Sequence, residues 1–131
     1  MNTDQTAIQY TEAFAQSVLN SLSAHIAILD GDGIILETNR AWRDFAIANG
    51  MPATYTSIGE NYLSVCEASG GEDGHHAQRV AKGIREVIEG RTEEFLYDYP
   101  CHSPEGPRWY YMRAIRMAVE APLRIVVSHE D

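Results

Sequence analysis

The feature that most constrains this chain is a four-residue turn, Asp30, Gly31, Asp32 and Gly33, set between two short β-rich runs. Asp-Gly tolerates the positive φ angles that tight hairpins demand. His25, Ile26, Ala27, Ile28 and Leu29 lead into the turn, and Ile34, Ile35, Leu36, Glu37 and Thr38 lead out. The pattern predicts a β-hairpin. Asn39 follows at once, and its side chain can accept a bond from an unpaired helical N–H, so a helix is expected over 40–49. Trp42, Phe45 and Ala46 carry its apolar spacing and Gly50 ends it.

Upstream, Ile8, Tyr10, Phe14, Val18, Leu19 and Leu22 predict an amphipathic helix over about 6–22. Downstream, 52–59 is irregular and 61–68 fits one or two helical turns carrying Tyr62, Leu63, Val65 and Cys66. A Gly-rich loop is expected at 69–74. Residues 76–89 read as the clearest helix, with Val80, Ile84, Val87 and Ile88 on one stripe and Gly90 at the end. Gly83 inside it costs about 1 kcal/mol relative to Ala, which suggests close approach by a neighbour.

The last third alternates as strands do. Phe95, Tyr97, Tyr99 and Cys101 share one face of a strand over 94–101. After a loop at 103–107, an aromatic strand is expected at 108–117, then a turn at 120–122 and a final strand at 123–128. Short links within each group of strands make the sheet antiparallel. The expected class is therefore α+β: a five-stranded antiparallel sheet with helices on one face. The other face is also apolar in part, since Tyr111 and Ile115 oppose Tyr110, Met112 and Ala114. It needs a cover, for which the N-terminal helix is available.

A chain of 131 residues is one domain's worth. Its formal net charge of −9, with no basic patch, excludes nucleic acid as a natural partner. Residues 1–6 lack the basic-then-apolar order of a signal peptide, and no apolar run approaches a bilayer-spanning length. Two cysteines, Cys66 and Cys101, make no disulfide framework, so a cytoplasmic setting without membrane contact by this segment is expected. There is no internal repeat.

The order β-β-α-α-α-β-β-β resembles the PAS family, and local segments carry the likeness across roughly residues 20–131. Residues 23–39 resemble the opening hairpin of bacterial PAS domains, with Asn39 starting the next helix. Ala41, Trp42 and Phe45 resemble that helix. Gly59, Glu60 and Asn61 resemble the family's G-x-N segment, and residues 95–109 resemble the third and fourth strands of PAS domains attached to histidine kinases and diguanylate cyclases. The resemblance implies a sensory, regulatory module that is not an enzyme, working as a homodimer. A C-terminal effector domain, a histidine kinase or diguanylate cyclase, is expected beyond Asp131. Residues 1–22 then form a capping or dimerisation helix and 23–131 the PAS domain.

No cofactor is named by the residues. The flavin-adduct photoreceptors that resemble this family need a cysteine after G-x-N, where this chain has Tyr62; Cys66, one helical turn on, reads as a small core residue. A haem ligand needs an apolar pocket, and His75 and His76 beside the Gly-rich loop read as solvated residues instead. Cys101 and His102 are strand neighbours and point to opposite faces, so with Cys66 and His129 they make no zinc site and no nucleophilic dyad. The rival reading is a small cone-shaped α+β enzyme of the ketosteroid-isomerase type, for which Asp98 is the sheet carboxylate to test. By comparison with flavin-binding relatives, the inward positions are Tyr110, Met112 and Ala114, then Ile125, Val127 and His129. From the helical side they are Tyr62, Cys66, Val80 and Ile84. The expectation is that these side chains fill a core or leave a small cavity.

Overall fold

In the computed structural model of the chain, residues 3–68, 74–103, 106–118 and 122–130 are described. The loop expected at 69–74 and the turn expected at 120–122 fall mostly outside them, as do the side chains of Ile8, Tyr10, Cys101 and His102. The elements run α1 (Thr3–Ser21), β1 (His25–Leu29), β2 (Ile35–Thr38), α2 (Arg40–Ala48), α3 (Tyr62–Ala68), α4 (Gly74–Ile88), β3 (Glu94–Ser103), β4 (Gly106–Arg116) and β5 (Ile125–Glu130).

The hairpin forms where the turn chemistry placed it. The Asp30 side chain accepts from the backbone N–H groups of Asp32 and Ile34, each at 2.9 Å, which tightens the turn from within. Gly33 adopts φ +87°, and a Cβ there would meet the Leu63 side chain at 2.7 Å. Both the backbone and the space therefore demand glycine.

All five strands join one antiparallel sheet in the order β2-β1-β5-β4-β3. The early hairpin meets the late strands through β1 and β5, with His25 opposite His129, Ala27 opposite Val127 and Leu29 opposite Ile125. β3 and β4 run further than expected, pairing as far as Ser103 with Gly106, so most of the expected loop at 103–107 is strand.

The inner face packs against α3 and α4. Leu29, Leu63, Ile84, Met112 and Ile125 are fully buried there, each contributing about 1.5–3 kcal/mol of hydrophobic stabilisation. Gly83 is the contact point expected of it: a Cβ would lie 2.4 Å from the Phe95 ring, so glycine lets α4 approach β3. Arg116 donates to the Val87 and Ile88 carbonyls at 3.0 and 2.9 Å, tying the C-terminal end of α4 to β4.

The outer face corrects one expectation. Leu96, Trp109 and Tyr111 are more than half exposed, and α1 does not cover them. Residues 11–18 of α1 are exposed throughout, including Phe14 and Val18. The helix is held at its C-terminal end instead, because Asn20 Oδ1 accepts from Arg40 N at 2.9 Å and from the Arg43 guanidinium at 3.3 Å. These bonds fasten α1 to α2 and leave its apolar stripe unfilled.

Candidate ligand-binding site

The site is organised by Asn39, which has no exposed surface. Its Oδ1 accepts from Trp42 N and Ile26 N, both at 3.0 Å. Its Nδ2 donates to the carbonyls of Ala24 at 2.8 Å and Leu19 at 3.0 Å, with a longer contact to Leu22 at 3.4 Å. The residue expected as a simple helix cap thus satisfies backbone groups of the end of α1, the start of β1 and the first turn of α2 together.

Asn39 places Trp42, whose indole Nε1 donates to Ser57 Oγ at 3.1 Å. Ser57 is buried and sits at φ +68°, a left-handed conformation costing roughly 1–2 kcal/mol for a residue with a Cβ. Non-glycine strain of this kind tends to gather at functional sites. Beyond Trp42, α2 contributes Phe45, Ala46 and Asn49, and the irregular stretch that follows contributes Met51, Tyr55 and Ser57.

These residues and the sheet line a half-open pocket of about 460 Å³. The sheet supplies His25 from β1, Tyr99 from β3, Tyr110 from β4 and His129 from β5, while Tyr62 closes the α3 side. The rings touch around the rim: His25 and Phe45 lie 4.6 Å apart, Trp42 and Tyr62 5.7 Å, Trp42 and His129 6.2 Å, and Phe45 and Tyr110 6.5 Å. Such tilted pairs are the favoured aromatic geometry. Among the described residues, no Asp, Glu, Lys or Arg lines the pocket.

Burial controls the titratable groups here. Removal from water pulls the His129 imidazole down to about 4, with a smaller push from His25. The ring is therefore neutral near pH 7, with one donor and one acceptor nitrogen. Burial also holds the Tyr62 phenol well above its ordinary value, and pushes the Cys66 thiol, which hydrogen-bonds with Tyr62, up to about 11. Both are un-ionised at neutral pH.

Of the residues singled out from the sequence, Tyr62, Tyr110 and His129 line the cavity. Cys66, Val80, Ile84 and Met112 lie in the closed core next to it, as do Ala114, Ile125 and Val127. The expectation that these side chains fill a core or leave a small cavity divides along the inner face: the aliphatic ones fill the core, and Tyr62, Tyr110 and His129 border the pocket. Trp42, Phe45 and Tyr99 were legible as apolar positions but not as cavity walls. Met51, Tyr55 and Ser57 belong to an irregular stretch whose path carries no periodic signal.

His76 is a further correction. It is half-buried rather than solvated: Nδ1 lies 2.7 Å from the Tyr97 hydroxyl and the ring stacks on Tyr99 at 5.4 Å. His75 is exposed, as expected. Asp98 is exposed and paired in register with the outward Tyr111, so the carboxylate required by the isomerase-like reading does not face the cavity. His129 does face it, but a base held near 4 takes up protons poorly at neutral pH. Among the described residues, no three His, Cys, Asp or Glu side chains gather to hold a metal, and no helix is long and apolar enough to cross a membrane.

Comparison with known proteins agrees with this architecture. The chain is 42% identical over 116 residues to an uncharacterized 104.1 kDa protein in the hypE 3′ region of Rhodobacter capsulatus, a match covering 87% of this chain and 12% of that protein. The fold is similar to the PAS domain of Bordetella pertussis BvgS, with TM-score 0.63 at 17% identity, covering 93% of this chain and 86% of that one. It is also similar to the photoactive yellow protein domain of the sensor histidine kinase Ppr from Rhodospirillum centenum, with TM-score 0.61 at 16% identity over 92% and 96% of the two chains. The PAS fold family model matches residues 19–128, and with the sheet order and helix placement already described, the chain belongs to the PAS fold family.

Proposed function

We propose that this chain is a sensory module that takes up a small molecule between α2 and the sheet and passes its occupancy to a linked effector. One observation carries the reading: a ring-lined, half-open pocket of about 460 Å³, with no charged side chain among the described residues that line it, beside the aliphatic core. Cavities of a few hundred Å³ with apolar walls and a few polar tips suit small ligands. The structural neighbour from Ppr is a domain of a sensor histidine kinase, and the curated relative is about eight times longer than the matched segment, which supports a modular setting. The effector, a histidine kinase or diguanylate cyclase, would lie beyond Asp131.

Native mass spectrometry of freshly purified chain, with an absorbance scan, tests this. The expected result is a bound small molecule, released on denaturation. A chain that is empty as purified, and remains so after exposure to a small-molecule extract, argues for relay through protein contacts alone.

The module works as a homodimer in this reading. The exposed Phe14, Val18 and Leu22 of the α1 region and the exposed Leu96 and Tyr111 of the outer sheet face are two apolar surfaces that a two-fold pairing would bury together. Light scattering should give a dimer for the whole chain and a monomer once residues 1–20 are removed. A monomer in both samples defeats the pairing.

A further inference from the structure

One wall of the pocket is built differently from the rest. We infer that residues 52–58 are a gate over the pocket, latched by the hydrogen bond from Trp42 to Ser57, and that this gate controls entry. The inference rests on the small-molecule reading above and adds the regulation of that site.

The other described walls stand on regular elements. The sheet residues belong to paired strands, Trp42, Phe45 and Ala46 to α2, and Tyr62 to the start of α3. Tyr55 and Ser57 instead line the pocket from a stretch with no helix or strand.

Both ends of that stretch are pinned by backbone bonds. The N–H groups of Gly50 and Met51 donate to the Ile47 and Ala46 carbonyls at 3.0 and 3.1 Å, which closes α2. At the far end, Gly59 N donates to the Ile35 carbonyl at 2.8 Å and Ile35 N to the Glu60 carbonyl at 2.9 Å, tying the chain to β2. A span fixed at both ends lifts as a unit.

The span itself is held lightly. Tyr55 donates to the Glu60 carboxylate on its own flank. Beyond that flank, two hydrogen bonds among the described residues join the span to the rest of the fold. Thr38 Oγ1 donates to the Thr56 carbonyl at 3.1 Å, and Trp42 Nε1 donates to Ser57 Oγ at 3.1 Å. Pro52, Ala53, Thr54 and Thr56 are exposed, as is Ile58, so little apolar burial anchors the span.

Backbone strain works against the latch. Ser57 sits at φ +68° while its hydroxyl holds the indole, and letting go relieves that conformation. A bond set against a strain gives an element with two arrangements. They differ at Trp42 and Ser57, both pocket walls, so a molecule touching these two favours one arrangement and shifts the balance.

Amide hydrogen exchange of the whole chain at pH 7.5, followed residue by residue by NMR, tests the gate without any ligand. The bonded amides of Ile58 and Glu60 should exchange far faster than that of Ile84 in α4, because the span opens without global unfolding. Ser57→Ala removes the latch acceptor and should speed exchange at Ile58 and Glu60 about tenfold, leaving Ile84 unchanged. Trp42→Phe removes the donor and should do the same, and the double variant should exceed neither, since all three break one bond. Entry is read by acrylamide quenching in a Trp109→Phe background, where Trp42 is the remaining indole. Ser57→Ala should raise that quenching. Thermal melts establish that each variant is folded; if Ser57→Ala does not fold, Trp42→Phe carries the exchange measurement and Thr38→Val, which frees the other hold, carries the quenching.

Exchange at Ile58 and Glu60 as slow as at Ile84 would overturn the gate. Unchanged exchange in the folded variants, or a double variant faster than either single one, would overturn the latch. Faster exchange with unchanged quenching would overturn control of entry. Each of these results leaves the sensory reading standing, which the mass-spectrometric experiment decides separately.

Discussion

The inner face of the sheet has two halves that differ in kind. Under α3 and α4, branched and straight aliphatic side chains such as Leu63, Val80, Ile84 and Met112 close against β1, β4 and β5 without leaving space. Under α2, rings from both sides meet at their edges and line a half-open pocket instead. Aliphatic side chains interdigitate to crystal-like density, whereas the rings here meet at tilted angles with centroids from 4.6 to 6.5 Å apart. The closed half supplies stability, and the ringed half, in the function proposed above, receives the ligand. Asn39 lies at the start of α2 and ties the ringed half to the end of α1.

Removing that tie should have the largest effect. Asn39→Ala leaves the N–H groups of Ile26 and Trp42 and the carbonyl of Ala24 without the Asn39 amide, takes from the Leu19 carbonyl one of its two donors, and should cost about 3–5 kcal/mol. Urea denaturation measures it. A loss under about 1 kcal/mol would reduce Asn39 to an ordinary helix cap.

The contrast between the halves is sharpened by truncating one residue in each. Ile84→Ala, fully buried, should cost about 3 kcal/mol. Phe45→Ala, whose side chain is 45% exposed at the cavity rim, should cost about 1 kcal/mol although it removes more atoms. Equal losses would erase the distinction between a packed half and an open one.

Acid should weaken the ringed half. The His129 pKa is depressed in the folded chain from 6.5 to about 4. Between those values the unfolded chain binds a proton that the folded chain refuses, so stability falls as pH drops through this window. The full effect is about 3 kcal/mol, and none of it is felt above pH 7. His129→Phe should flatten the stability profile between pH 6.5 and 4 relative to the parent; identical slopes would mean that His129 is not shielded from water.

A small effect is also expected in the closed half. Gly83→Ala gains about 1 kcal/mol of helix propensity but drives a methyl into the Phe95 ring, for a net loss of about 1–2 kcal/mol. Pairing it with Phe95→Leu should recover part of that loss. A Gly83→Ala chain more stable than its parent would show that α4 and β3 can separate without cost.

Much of this was legible beforehand. The Asp30–Gly33 turn, the Asn39 cap and the stripe of α4 each rest on interactions within a few residues, so local chemistry predicts them. Alternation put Tyr110 and Met112 on one face of β4, and the resemblance to flavin-binding relatives made that face, with Ile125, Val127 and His129 of β5, the inward one, where the structure has them. Periodicity assigns a face, however, and not a neighbour. That is why Met112 and Tyr110, two positions apart on one strand, could not be sorted into core and cavity wall.

The residues alone settled the α+β class, the antiparallel strands and the C-terminal ends of the helices, because turn, cap and alternation are properties of nearest neighbours. Only the folded chain decided that β1 lies against β5, which sets His25 beside His129, and that α2 lies over β1 with its rings against those of the sheet while α4 packs on β3 and β4. Those outcomes depend on contacts between segments about a hundred residues apart in a 131-residue chain, and on how their side-chain shapes fit. A cavity is the space that such shapes fail to fill, so no single stretch of sequence encodes it.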